Sequence, residues 1–170
     1  LYHMESIQVC GYSAGALSAV FSRCGVCPQE AHQAAFELAD AAGTLSNPFG
    51  LAFKWGRLVD SWLRQLLPED AANQCNGLTV VVLTHLSPCP RPARSSHFTS
   101  REHLIACLMA STHIPFFMNG HLSLSLPRDV MDESGTNLPR HPQRSKIRAA
   151  DGGLLLSLRI VTEEQVITKP

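Results

Sequence analysis

Apolar residues at Trp55, Leu58, Val59, Trp62, Leu63, Leu66 and Leu67 recur at intervals of three and four, the spacing that lines one face of a helix. Pro68 ends that helix, and the stripe reads as a core face rather than a lipid-binding one. Pro28 at a first helical position and Gly43 just beyond the last turn frame another helix over 28–42. The run Leu78-Thr79-Val80-Val81-Val82-Leu83-Thr84 is β-rich without alternation, which predicts a strand covered on both faces. Ser6-Ile7-Gln8-Val9-Cys10 reads as a short strand, and 14–24 is compatible with a helix. Thr99 with Glu102 resembles a capping box opening a helix through Leu108 and Met109, which Pro115 stops. Strands alternating with helices predict an α/β domain, with a parallel or mixed sheet and helices on both faces.

Two stretches interrupt this pattern. Residues 87–96 hold Pro88, Pro90 and Pro92 and read as too broken for regular structure. Residues 126–146 are polar, with Pro127, Pro139 and Pro142, and are long for a connection inside a compact domain. Their composition has few apolar anchors, so a disordered insert is the favoured reading. Their place just ahead of Asp151 keeps a lid role open.

Composition narrows the partners. At 170 residues the chain suits one domain with its own core. Fourteen basic and fourteen acidic residues cancel, so no field draws nucleic acid, and nucleic-acid binding is set aside. No run of 18 uncharged apolar residues supplies a helical membrane span. The cysteines at 10, 24, 27, 75, 89 and 107 are scattered. Cys24-Gly25-Val26-Cys27 has a CxxC spacing, but no second pair completes a zinc site. Reduced thiols are expected, with no metal and no cofactor.

The pentapeptide Gly11-Tyr12-Ser13-Ala14-Gly15 stands between the first strand and the helix after it. A Gly-x-Ser-x-Gly string in that setting is a nucleophile elbow. Small flanking residues let the backbone turn sharply and leave the serine Oγ open to a substrate carbonyl. Ser13 then needs a base. A triad in the order Ser, acid, His is constrained, because all eight histidines lie at or before His141 and none follows Asp151. Asp60, Asp70, Asp129 or Asp132 would have to serve as its acid, and the triad would need a His close to Ser13. His113 is the tempting base, although its place at a helix end suits packing or a satisfied hydrogen bond. Asp151 sits between Ile147-Arg148-Ala149-Ala150 and the glycines Gly152 and Gly153, a carboxylate at a strand end with little steric cover. A Ser13/Asp151 dyad, with the carboxylate as general base, explains these residues better. The two residues are 138 positions apart, and parallel strands ending on the same edge of a sheet would bring them together. The backbone N–H of Ala14 is then an oxyanion donor.

At this point the chain resembles the patatin-like phospholipase family, including its triacylglycerol-lipase-like branch. The resemblance is carried by Gly11-Tyr12-Ser13-Ala14-Gly15-Ala16-Leu17, by Phe98-Thr99-Ser100-Arg101-Glu102-His103-Leu104-Ile105, by Ala110-Ser111-Thr112-His113-Ile114-Pro115-Phe116 and by Asp151-Gly152-Gly153, in that order. It implies a three-layer α/β/α domain on a mixed, mostly parallel sheet. It also implies a serine acyl hydrolase of lipid esters, triacylglycerol or phospholipid, with Ser13 as nucleophile and Asp151 as base. A membrane or lipid-droplet surface would be its working partner. The family's glycine-rich oxyanion loop precedes the serine, and none is found between Leu1 and Ser13; after Gly153 the chain runs into Leu154-Leu155-Leu156 and stops at Pro170. The expectation is therefore one patatin-like domain over 1–170, incomplete at the N-terminus and at the C-terminus, with little turnover by itself. The alternative reading is a catalytically impaired module that binds lipid or a protein partner.

Overall fold

Strand β2 (Thr79–His85) organises the molecule, and its buried residues Val80, Val81 and Leu83 come from the continuous apolar run in the sequence. The computed structural model describes residues 7–44, 54–86, 90–114, 122–127 and 146–151. In chain order these carry β1 (Val9–Tyr12), α1 (Ala14–Arg23), α2 (Pro28–Ala41), α3 (Trp55–Leu66), α4 (Ala71–Cys75) and β2. They continue with β3 (Arg91–Ser95), α5 (Arg101–Ser111), β4 (Leu124–Pro127) and β5 (Lys146–Ala150). Helices and a mixed sheet make the chain α/β.

The register of β2 fixes the sheet. Val81 and Val82 pair with Gly11 and Tyr12 of β1 and also with Ser95 and Arg94 of β3. A strand has two edges, so β1 and β3 flank β2 on opposite sides. Thr84 pairs with Pro92 of β3 and with Ala150 of β5, which puts β5 on the same edge as β1. Strand β4 extends the sheet beyond β5, through Leu124↔Ala149 to Pro127↔Lys146.

Parallel pairing is confined to β1 and β2 among the described strands; β2–β3, β2–β5 and β4–β5 are antiparallel. Among the described strands the sheet is mixed, as expected, but not mostly parallel. A short connection joins β2 to β3, and only antiparallel neighbours can be joined so briefly.

Local differences from the sequence reading have physical causes. β1 ends at Tyr12 rather than at Cys10, so the strand runs straight into the turn at Ser13. The proline-broken stretch contains a strand after all. Pro92 is tolerated in β3 because that strand pairs only with β2 among the described strands, leaving an edge where no N–H is required. The short helix α4 and the strand β4 go beyond the sequence reading, although Leu122-Ser123-Leu124-Ser125-Leu126 alternates as a strand would. The N-cap of α5 is Ser100 instead of Thr99: the Ser100 Oγ accepts the His103 N–H at 3.1 Å, while Thr99 bonds the His103 Nδ1. Residues 128–145, most of the long polar stretch, lie outside the described residues, as does Cys89.

The amphipathic stripe of α3 faces inward, with Val59 and Leu63 buried and Leu67 buried just beyond the helix end. Trp62 donates from Nε1 to the Ala31 carbonyl at 2.8 Å and meets Phe21 edge-on, at a ring-centroid distance of 4.9 Å. α5 is buried on nearly every face, through Leu104, Ile105, Cys107, Leu108, Ala110 and Ser111, because α1, α3 and β2 all pack against it. Its first turn is tied to the end of α3 by Arg101, whose guanidinium donates to the carbonyls of Arg64 and Leu67.

Among the described residues no group of His, Cys, Asp or Glu could hold a metal ion, and no helix is long and apolar enough to cross a membrane. Cys24 does not join Cys27. Its sulfur lies 3.9 Å from that of buried Cys75, while Cys27 donates to Gln29. The hydrogen bond to Cys75, helped by burial, pushes the Cys24 thiol up, and the same bond lowers that of Cys75.

Candidate active site

The turn at Ser13 is a strained point of the chain. Ser13 has φ 50° and ψ −129°, the only positive φ outside glycine among the described residues. A side chain in that region costs about 1–3 kcal/mol and persists only when its surroundings hold it. One cause is steric. A Cβ on Gly11 would run into the Gly15 carbonyl oxygen and would lie 2.7 Å from the Ala16 nitrogen. β1 and the first turn of α1 can approach this closely only with glycine at position 11. Gly15 is different: a Cβ there meets nothing within 4 Å.

Hydrogen bonds supply the second cause. The Ser13 N–H donates to Ser111 Oγ at 2.9 Å, and that hydroxyl donates to the Val82 carbonyl at 2.6 Å. The Ser13 carbonyl accepts from Ala16 and Leu17 and so starts α1. Ala14 is the first residue of that helix, so its N–H has no carbonyl one turn back to bond. It points where the positive end of the helix dipole favours an anion. Ser13 is half-buried, while Ala14 and Gly15 are exposed.

Asp151 arrives from the other direction. β1 runs parallel to β2 and its last pair is Tyr12↔Val82. β5 runs antiparallel along the same edge and its last pair is Ala150↔Thr84. The two strands meet head to head, with only the level of Leu83 between their last paired residues. Two residue steps of a strand cover roughly 7 Å, so the backbones leading to Ser13 and Asp151 converge on one spot. This differs in detail from the expected arrangement of parallel strands ending together. The pairings show the two backbones ending at neighbouring levels of β2.

The backbone of Asp151 is held there on both sides. Its N–H donates to the His113 carbonyl at 3.0 Å, and its carbonyl accepts from Thr84 Oγ1 at 2.7 Å. The end of α5 therefore touches both residues, Ser13 through Ser111 and Asp151 through His113. His113 is buried and enters the site through its backbone carbonyl. Ser111 was missed as a site residue by sequence reading, since a serine near a helix end carries no signal of its own. Of the alternative acids, Asp60 pairs with Arg64 at 2.9 Å and Asp70 accepts from Gln74. Asp129, Asp132, Gly152 and Gly153 lie outside the described residues.

Comparison with known proteins gives two similar relatives. Over 114 residues the chain is 31% identical to "Patatin-like phospholipase domain-containing protein 2" of Homo sapiens, covering 66% of this chain and 22% of that protein. The Mus musculus protein of the same name is also 31% identical over 114 residues, 23% of its length. The chain thus spans about a fifth of the curated relatives it matches. No family model matches it, and no solved structure matches it closely. The similarity supports the patatin-like family and a general link to lipid hydrolases.

Proposed function

We propose that this chain carries the nucleophile and base of a patatin-like serine acyl hydrolase acting on lipid esters, triacylglycerol or phospholipid, on a three-layer patatin-like fold. The observation that carries the reading is the meeting of β1 and β5 on one edge of β2, which brings Ser13 on its positive-φ elbow and Asp151 to a common junction. The similarity to patatin-like phospholipase domain proteins supports the choice of substrate class.

In this mechanism Asp151 takes the proton of Ser13 as Oγ attacks the ester carbonyl carbon. The carbonyl oxygen becomes an oxyanion beside the Ala14 N–H, with the dipole of α1 behind it. Collapse expels the alcohol, which takes the proton back from Asp151 and leaves an acyl-serine. Water, deprotonated by Asp151, then releases the fatty acid and restores Ser13. The Ser13 N–H is engaged by Ser111, so the elbow contributes its oxyanion donor from Ala14.

Two measurements test this reading: hydrolysis of a long-chain glycerol ester, and covalent labelling of Ser13 by an alkyl fluorophosphonate, located by peptide mass. Ser13→Ala should abolish labelling and whatever hydrolysis the wild-type protein shows. Asp151→Asn should slow both steeply while circular dichroism stays unchanged, since it keeps the shape and loses the base. A folded wild-type chain that is never labelled at Ser13 would overturn the hydrolase reading and leave a lipid- or protein-binding module.

A further inference from the structure

We infer that Ser111 is a positioning residue for Ser13: its hydroxyl holds the strained elbow in register with β2 and so aims the Ser13 side chain at the junction with Asp151. The inference rests on Ser13 being the nucleophile, and the test below separates the two.

Ser111 is fully buried and lies 98 residues from Ser13 in sequence. A serine inside a helix commonly donates to the carbonyl one turn back. The neighbouring Thr112 does this, donating to Leu108 at 2.9 Å. Ser111 donates outward instead, to Val82 of β2, and accepts the Ser13 N–H on its other side. Val82 is the register partner of Tyr12. One hydroxyl therefore closes a triangle between the end of β1, the middle of β2 and the end of α5.

The direction of these bonds matters. With its proton committed to the Val82 carbonyl, Ser111 Oγ can only accept from Ser13. That fixes the peptide plane ahead of Ser13; with the Ser13 carbonyl held by the Ala16 and Leu17 N–H groups on the other side, the positive φ of the elbow is held between them. Two residues on, the His113 carbonyl holds the Asp151 N–H. The same helix end thus holds the proposed nucleophile and the proposed base, so losing the Ser111 bonds disturbs their mutual placement rather than either residue's chemistry.

The test is the second-order rate of Ser13 labelling by an alkyl fluorophosphonate, in which Oγ bonds to phosphorus, fluoride leaves and the proton passes to Asp151. Ser111→Ala is expected to slow labelling by at least 10-fold. Ser111→Cys keeps the shape with a weaker donor and acceptor; it should also be slower than wild type, and it carries the test if the alanine variant does not fold. Leu108→Ala, in the same helix and equally buried, controls for loosening of the core. It should lower the melting temperature at least as much while changing the labelling rate by less than threefold. Labelling of both Ser111 variants within threefold of wild type would overturn the inference and leave the hydrolase reading standing. So would equal slowing in Leu108→Ala, because the effect would then be general destabilisation. An unreactive Ser13 in the wild-type chain would remove the hydrolase reading and this inference together.

Discussion

At the scale of single residues, the two glycines around Ser13 look equivalent in sequence and have different duties. Gly11 is required by contact, because any side chain there collides with the backbone of Gly15 and Ala16. Backbone atoms cannot swing aside as a flexible side chain would. Gly11→Ala should therefore cost about 2–3 kcal/mol, the upper part of the usual range for overpacking. Gly15 lies inside α1 with open space around its Cα. Gly15→Ala should leave stability unchanged or raise it by about 0.5–1 kcal/mol, the helical preference for alanine. Urea denaturation of the two variants checks both, and a Gly11→Ala chain as stable as wild type would refute the close approach. If Gly15→Ala folds well yet slows ester hydrolysis, its small size serves the substrate and not the turn. The sequence motif treats its two glycines alike; which of them is under steric pressure depends on how closely the helix returns over the strand.

At the scale of elements, α2 and α3 were legible from local signals, a proline start with a glycine stop in one and a periodic stripe ahead of a proline in the other. α2 starts at Pro28 and gives way to Gly43 at φ 63°, and α3 buries its stripe ahead of Pro68. What holds α3 to α5 was not legible. Arg101 reaches back 34 residues to the Leu67 carbonyl, with N–O distances of 2.9 and 3.1 Å, and its side chain is only 13% exposed. Its ion pair with Glu69 is 3.2 Å long, but the Glu69 side chain is 87% exposed, so solvent screens it. The carbonyl bonds at the end of α3 carry the interaction. Arg101→Met is expected to cost about 2 kcal/mol, the scale of hydrogen bonds from a charged donor, and Glu69→Gln less than about 0.5 kcal/mol. Thermal or urea unfolding of the pair decides, and the reverse order would show that the ion pair dominates.

At the scale of the whole molecule, β2 is the element on which the proposed site depends. Leu83 is fully buried at the level where β1 and β5 meet. Leu83→Ala should cost about 2–5 kcal/mol through lost burial and the cavity left behind. It should also slow Ser13 labelling more than Leu63→Ala does, because Leu63 is equally buried but belongs to α3. Equal labelling rates in the two variants would argue that the junction is held without Leu83. By itself the sequence determined the α/β class, most helices and the central strand, and it singled out Ser13 and Asp151 as candidates. Those features are written locally, in periodicity, caps and the residue types that chemistry requires. Only the tertiary structure decided that the sheet is chiefly antiparallel among its described strands, that a proline-bearing segment joins its edge, and that β1 and β5 share one edge of β2 end to end. It also decided that the end of α5 ties to both residues at that meeting point. Strand partners and crossing hydrogen bonds join positions tens of residues apart, so they are set by how the elements pack around β2 and not by the neighbours of any one residue.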